Sequence, residues 1–278
     1  MTIHGVAIGI PAHNEAARIG RTLTSVLRAA RGTTPVVIVV AADACTDASA
    51  RIATEQLRDT PSNIETQVIR VNHRQAGAAR EAACRTAHAQ LEQRIGAGAP
   101  SWIATTDADS VVPVDWLAIH RRWAGTGAHA VAGLVRTDPR DPLLPTVRVD
   151  IERELAEDPA THFHVFGANL AIEATWWRTV GGFPRVAVGE DRLIVEKLQA
   201  AGACVVSASD SIVTTSARLT PRAPRGFGAH LAAMTARASD ARPTDTDPAG
   251  ITSGTHLALR VGYGSAVLDR ALGNTNPV

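Results

Sequence analysis

Two aspartates separated by a single alanine are the residues of this sequence best suited to chemistry. Asp107, Ala108 and Asp109 follow the apolar run 102–104 and precede a second apolar stretch at 111–113. Both carboxylates need water, a cation or a group of donors, because an ionised carboxylate is costly to bury unpaired. At the end of a buried strand they would project into the crevice where α/β sheets bind ligands. Carboxylates completed by substrate phosphates suit Mg²⁺ or Mn²⁺, whereas an aspartate-rich turn is the alternative interpretation.

The composition is that of a globular protein with a sizeable core. The chain has 278 residues, of which 45% are hydrophobic and 20% are charged. The formal net charge of +1 argues against a nucleic-acid partner. Three cysteines, Cys45, Cys84 and Cys204, are widely spaced and contain no C-x-x-C pair. That pattern indicates neither a zinc site nor a disulfide framework, and it fits a reducing cytosol.

The sequence carries no evident targeting or membrane-spanning segment. Met1 leads directly into strand-like sequence, without the basic and apolar regions of a signal peptide. The longest apolar run, 35–42, is far shorter than the ~20 residues that a membrane helix needs. We therefore expect a soluble, cytoplasmic protein without a transmembrane segment, and peripheral membrane contact stays open.

Strand and helix patterns alternate over the first ~110 residues, as in α/β folds. Apolar, β-branched runs bounded by proline or polar residues predict four buried strands, and apolar residues spaced by three and four predict the helices between them. This order favours a right-handed, mostly parallel sheet covered by helices on both faces. The first strand lacks a following G-x-G-x-x-G, which disfavours a dinucleotide-binding half. The predicted strands are 6–10, 35–42, 67–71 and 102–106, and the helices begin near residues 14, 46 and 76.

The second half of the chain is less regular. Residues 163–172 indicate a strand pair, or one strand bent at a glycine, and 138–145 indicate a loop with three prolines. We predict a single domain over 1–238, followed by a mobile linker and C-terminal tail over 239–278, where Pro, Thr, Asp and Gly dominate. The remaining predictions are helices at 115–123, 148–157, 175–180 and 191–201, and strands at 130–136 and 205–213.

Six short segments, in order between about residues 5 and 230, carry a family resemblance. The chain resembles the inverting glycosyltransferases of family 2, which have the GT-A fold. The resemblance implies a mixed, mostly parallel sheet flanked by helices. It also implies metal-dependent transfer of a hexosyl group from a nucleotide-diphospho-sugar to a hydroxyl acceptor. The segments are IPAHNE (10–15), VVIVVAADACTD (36–47), GAAREAA (77–83), TTDADS (105–110), GANLAI (167–172), and GGF with GED (181–183, 189–191).

The resemblance also implies a set of nucleotide-binding positions. Asp43 would accept a hydrogen bond from a uracil or guanine N–H of a UDP- or GDP-sugar, unless it only caps a helix. Ala42 stands where many relatives have a further aspartate, which weakens any prediction of the base. Arg80 matches a basic residue that approaches the nucleotide, although an arginine on a helix surface would give the same pattern. The full implied set is Pro11, Ala12, Glu15, Asp43, Arg80, Asp107 and Ala108.

The metal site follows from the same resemblance. Asp109 would coordinate Mg²⁺ or Mn²⁺ directly, and Asp107 would contact the ribose or a water on the metal. The cation would neutralise the departing nucleoside diphosphate. A third protein ligand stays open among His162, His164 and His230, because a lone histidine is more often structural.

A second acidic pair is the candidate for proton transfer. Glu190 and Asp191 precede a predicted helix, whose positive end helps to keep them ionised. They could simply cap that helix, but they follow the glycine-rich segment 181–183 as the family's catalytic pair does. By resemblance Asp191 is the general base that deprotonates the acceptor hydroxyl, and Glu190 positions the loop or the acceptor.

Three alternatives remain at this point. A retaining GT-A enzyme would share the first half of the chain. A non-catalytic sugar-nucleotide binding protein would bind the donor without turnover. A nucleotidyltransferase would be expected to carry a glycine-rich, lysine-bearing phosphate loop near the first strand, and none is visible.

Overall fold

A seven-stranded sheet forms the centre of the protein. The computed structural model describes residues 3–33, 35–156, 165–220 and 227–240. The strand order is β3-β2-β1-β4-β6-β5-β7, and only β6 runs against its neighbours. The predicted mixed, mostly parallel sheet is therefore confirmed. The strands are β1 Gly5–Ala12, β2 Val36–Asp43, β3 Ile64–Val71, β4 Ser101–Thr105, β5 Ala130–Thr137, β6 Leu170–Glu173 and β7 Val205–Thr215.

Helices cover both faces of this sheet. Alternate residues of each strand point to opposite faces, so Ile8 and Ala7 belong to two different apolar clusters. One cluster includes side chains of α1, α2, α4, α5 and α8, and the other includes those of α3, α6 and α7. Within the described part of the chain, no helix is both long and apolar enough to cross a membrane. The helices are α1 Ile19–Ala30, α2 Ser49–Gln56, α3 Ala76–Ile95, α4 Trp116–Gly125, α5 Pro145–Ala156, α6 Ala174–Thr179, α7 Glu190–Ala200 and α8 Phe227–Asp240.

Helix α3 packs unusually close to the central strand β1. A Cβ atom added to Gly9 would lie 2.8 Å from the Cys84 nitrogen and 3.0 Å from its Cα. The facing positions Ala79, Ala83 and Ala87 are small and buried. This close packing brings the N-terminal turn of α3 to the carboxyl edge of the sheet, where the candidate site lies.

Two predicted elements differ from the structure. The helix expected from residue 14 begins only at Ile19, because residues 13–18 form a loop that is hydrogen-bonded to Asp47 in the loop after β2 and to Ser49 at the start of α2. The strand pair expected over 163–172 is reduced, within the described residues, to the short strand β6. The preceding residues 165–169 form a turn. Several of its polar groups are hydrogen-bonded to residues elsewhere in the chain. Residues 163 and 164 lie outside the described residues, as does the predicted tail beyond 240.

Candidate active site

The carboxyl ends of three neighbouring parallel strands define the site. Strands β1 and β2 are paired up to Ala12 and Ala42, and β1 and β4 are paired up to Gly9 and Thr105. The loops that follow these strands therefore emerge at one edge of the sheet. This is the edge at which open α/β sheets bind ligands.

The loops after β1, β2 and β3 contain strained backbone. In the part of the chain that the structure describes, three non-glycine residues have positive φ angles: Asn14 at 54°, Ala44 at 48° and Arg74 at 53°. Each follows a different strand, β1, β2 or β3. The Asn14 Oδ1 atom accepts hydrogen bonds from the backbone nitrogens of Thr46 at 2.8 Å and Asp47 at 3.2 Å. Such strain persists only where surrounding contacts hold it, and it is concentrated at functional sites.

Asp43 has a structural task in this loop system. Its buried carboxylate accepts three backbone hydrogen bonds, from the nitrogens of His73 at 2.6 Å, Arg74 at 3.0 Å and Gln75 at 3.1 Å. It does not cap α2, whose N-cap residue is Ala48. Asp43 therefore fixes the loop before α3, and its contact with a nucleotide base stays a prediction.

Arg80 is the hub of the site. Its guanidinium donates from Nη2 to Asp107 Oδ1 at 2.7 Å and from Nε to Glu190 Oε1 at 3.1 Å. Nη1 donates to Thr105 Oγ1 at 2.6 Å and to the carbonyl oxygen of Gly167 at 2.9 Å. The side chain is only 4% exposed, so the interpretation as a surface arginine is wrong. Arg80 joins the first acidic pair to the second.

The surroundings of Arg80 are shaped to accept it. A Cβ atom added to Gly167 would lie 2.7 Å from Arg80 Cζ, so only glycine leaves room there. The guanidinium carbon lies 5.9 Å from the centre of the Phe183 ring. Burial lowers the pKa of Arg80, but the carboxylates of Asp107 and Glu190 outweigh that effect, and the net pKa is raised. The guanidinium is therefore permanently charged.

Asp109 is paired with an arginine that the sequence analysis does not identify. Arg218 Nη2 lies 2.8 Å from Asp109 Oδ2, and the same guanidinium contacts both carboxylate oxygens of Glu15, at 2.7 and 2.8 Å. Burial raises the pKa of Asp109 to about 7, against the opposing effect of Arg218. Arg218 follows the carboxyl end of β7, so the positional rule that identifies Asp107 could also have identified it.

The remaining predicted nucleotide-binding positions lie around this centre. Pro11 is half-buried and Ala12 is buried at the end of β1. Ala108 is buried in the core, and its carbonyl oxygen accepts a hydrogen bond from Thr22 Oγ1 at 2.9 Å. Ala108 thus has a packing role in the structure, and its nucleotide contact stays a prediction.

The second acidic pair lies at the start of α7, next to Arg80. Asp191 Oδ2 accepts from the backbone nitrogen of Gly167 at 2.7 Å, and Oδ1 accepts from that of Arg192 at 2.8 Å. The N-cap residue is Gly189, with φ of 81° and no side-chain cap, so Asp191 does not cap the helix. Burial, followed by the negative charge of Glu190, raises the pKa of Asp191 to about 6.

The donor groups fit a divalent cation that is completed by substrate. Among the described residues, no group of three or more His, Cys, Asp or Glu side chains is arranged to hold a metal. Asp107 and Asp109 together offer two carboxylates, which is the protein contribution that Mg²⁺ usually receives in phosphate-binding sites. Of the candidate third ligands, His230 is exposed on α8, and His162 and His164 lie outside the described residues.

Solved structures with the same fold can be superposed on most of the chain. One is TarS from S. aureus, residues 1–349, in complex with UDP-GlcNAc. It is 14% identical to this chain, with a TM-score of 0.57, and the alignment covers 81% of this chain and 62% of the TarS chain. A mannosyltransferase from Pyrobaculum calidifontis, in complex with GDP-Man and Mn²⁺, is 19% identical with a TM-score of 0.56, over 87% of this chain and 66% of that one. These identities establish the GT-A fold alone. No curated protein matches the chain.

The sequence itself establishes the family. The profile of "Glycosyl transferase family 2" matches residues 7–170, which include most of β1, all of β2 to β5, Arg80 and the first acidic pair. The match covers more than half of the chain, and the predicted family is confirmed. The chain belongs to glycosyl transferase family 2.

Proposed function

We propose that this protein is a metal-dependent, inverting glycosyltransferase that moves a sugar from a nucleotide-diphospho-sugar to a hydroxyl-bearing acceptor. The observation that carries the proposal is the double contact of Arg80, with Asp107 after β4 and with Glu190 at the start of α7. Two acidic pairs that lie 81 or more positions apart in sequence are thereby joined through one guanidinium. One pair suits the donor and the other suits the acceptor.

The first acidic pair, Asp107 and Asp109, would bind the donor through a metal ion. Asp109 and Asp107 would hold Mg²⁺ or Mn²⁺, which when bound neutralises charge on the departing diphosphate. The neighbours that contain UDP-GlcNAc or GDP-Man support a UDP- or GDP-sugar as donor. Glu15 and the loops after β1 and β2 would surround the base and ribose.

Asp191 would act on the acceptor. A general base works best when its pKa lies near the working pH, and burial raises the pKa of Asp191 towards neutrality, to about 6. The acceptor hydroxyl passes its proton to Asp191 while its oxygen bonds to the anomeric carbon. The bond from that carbon to the diphosphate oxygen breaks on the opposite face, and its electron pair leaves with the nucleoside diphosphate. Attack from the opposite face inverts the carbon.

Glu190 would position this base rather than replace it. Its carboxylate is 6% exposed and is held by Arg80 Nε. The Arg80 Nη1 atom contacts the Gly167 carbonyl oxygen, and the Gly167 nitrogen contacts Asp191. Arg80 and Gly167 thus form a fixed connection between the two acidic pairs.

The test is donor turnover with water as the simplest acceptor. Purified protein is incubated with UDP-GlcNAc or GDP-mannose and Mn²⁺, and early ¹H NMR spectra report the anomer of the released sugar. We expect release of the anomer opposite to that of the donor, and none from Asp191→Asn. Release of the same anomer would indicate a retaining enzyme, and binding of the donor without any release would indicate a non-catalytic protein.

A further inference from the structure

We propose that Arg218 neutralises the carboxylates of Glu15 and Asp109 in the donor site while no donor is bound. When the metal-loaded donor binds, Arg218 releases these two carboxylates and binds the diphosphate instead. The inference rests on the proposed function. Its basis is the position of one guanidinium, which contacts both oxygens of Glu15 and one oxygen of Asp109 at 2.7–2.8 Å. Arg218 thus holds the carboxylate that is expected to bind the cation.

The backbone around Arg218 is anchored, so the exchange requires only side-chain rotation. Asp141 Oδ2 accepts from Ser216 Oγ at 3.0 Å and from the Ala217 nitrogen at 2.7 Å. Asp141 Oδ1 is in turn held by Arg18 Nη2 at 2.9 Å. These contacts connect the loop after β7 to the loop after β5 and to the segment before α1. The long arginine side chain projects from this fixed base.

The charges around the site favour such an exchange. Four carboxylates, from Glu15, Asp107, Asp109 and Glu190, contact two guanidinium groups, from Arg80 and Arg218. Arg80 is committed to four contacts and is 4% exposed, whereas the Arg218 side chain is 22% exposed. Arg218 is therefore the group able to change partners.

A cation and a diphosphate should respond to Arg218 in opposite ways. A divalent cation at Asp109 would be repelled by the guanidinium beside it, so Arg218 opposes binding of the metal alone. Diphosphate oxygens match the planar guanidinium fork, so Arg218 supports binding of the nucleotide. A residue that only stabilised the fold would not produce these opposite signs.

The experiment measures both ligands in Arg218→Gln, which removes the charge and keeps hydrogen-bond donors. Mn²⁺ binding without nucleotide is followed by the EPR signal of free Mn²⁺, and UDP and GDP binding at saturating Mn²⁺ by calorimetry. We expect Mn²⁺ alone to bind more tightly and the nucleotide more weakly, each by a factor within about 5 to 150, the usual range for linked sites. Arg51→Gln is the matched control, since Arg51 contacts both oxygens of Glu55 at 2.9 Å on the exposed surface of α2.

Each outcome decides between defined alternatives. Unchanged or weaker Mn²⁺ binding in Arg218→Gln, with nucleotide binding intact in the wild type, would overturn the inference and leave the proposed function in place. Wild-type protein that binds neither UDP nor GDP with Mn²⁺ would overturn the proposed function and this inference with it. If Arg218→Gln does not fold, Arg218→Lys replaces it. Lysine keeps the charge but lacks the fork, so only the loss of nucleotide affinity is then expected, and its absence would overturn the inference.

Discussion

The Arg80 guanidinium donates from Nη2 to Oδ1 of Asp107 over 2.7 Å, and it does so from inside the protein. Helix α3 and the loop after β4 are thereby joined through a charged hydrogen bond, which is stronger than a neutral one. Nε and Nη1 of the same guanidinium donate to three further buried groups, on Glu190, Thr105 and Gly167. Changes to Arg80 or its neighbours should therefore affect stability and donor binding together.

Replacing the hub should destabilise the fold. Arg80→Met leaves Glu190 buried with its cationic partner removed, and loss of one partner of a buried pair costs about 3–5 kcal/mol. We expect a loss of that size in the free energy of unfolding, measured by urea denaturation. Arg153→Met is the control, because its pair with Asp150 is exposed and should contribute at most ~1 kcal/mol. A loss below ~1 kcal/mol in Arg80→Met would contradict the hub role.

The space beside Arg80 gives a second prediction. In Gly167→Ala the new methyl group would lie 2.7 Å from Arg80 Cζ, so the guanidinium must shift away from its partners. We expect a destabilisation of about 1–3 kcal/mol together with weaker nucleotide binding in calorimetry. Gly125→Ala, with nothing within 4 Å of its added Cβ, should be unchanged or up to about 1 kcal/mol more stable. Equal behaviour of the two variants would show that Arg80 does not need the room at Gly167.

The structural task of Asp43 can be measured without any nucleotide. Asp43→Ala removes the acceptor of three backbone N–H groups at residues 73–75. We expect faster amide hydrogen exchange at these three residues and a destabilisation of about 1–3 kcal/mol. Asp59→Ala, at an exposed position, serves as the control. If exchange at 73–75 stays at the wild-type rate, the carboxylate does not hold this loop.

The raised pKa of Asp191 predicts the pH dependence of turnover. The base must be ionised to accept a proton, so the rate should rise as pH increases through about 6 and level off above it. An ordinary aspartate, with a pKa of about 3.9, would place this rise near pH 4. The measurement is donor hydrolysis between pH 4.5 and 8.5 at saturating Mn²⁺, with stability checked at each pH. A rate independent of pH over this range would argue against Asp191 as the base.

Much of the fold could be predicted because its signals are local. The β-branched run of β2, buried on both faces, and the alternation of strands and helices up to β4 are properties of short windows. The segment before β6 could not be predicted in this way. Its turn is shaped by Asn169, whose side chain contacts Trp116, Leu134 and Ser211, all distant in sequence.

The site residues also differ in whether local sequence patterns can predict them. The two acidic pairs follow or precede recognisable elements, so their positions could be predicted. The burial of Arg80 could not, since it depends on the room left by Gly167, 87 residues away. The position of Arg218 is less evident from the sequence, because the apolar pattern predicts that the last strand ends at residue 213. Strand β7 in fact continues to Thr215 and places Arg218 just beyond the sheet edge.

The most direct test of the account is calorimetric titration of UDP and GDP into the wild type, Asp109→Asn and Asp191→Asn, with and without Mn²⁺. We predict that one nucleotide binds the wild type only when Mn²⁺ is present, that Asp109→Asn loses this binding, and that Asp191→Asn keeps it while losing turnover. Binding that ignores Mn²⁺ and survives in Asp109→Asn, or full turnover by Asp191→Asn, would contradict the division of work between the two acidic pairs.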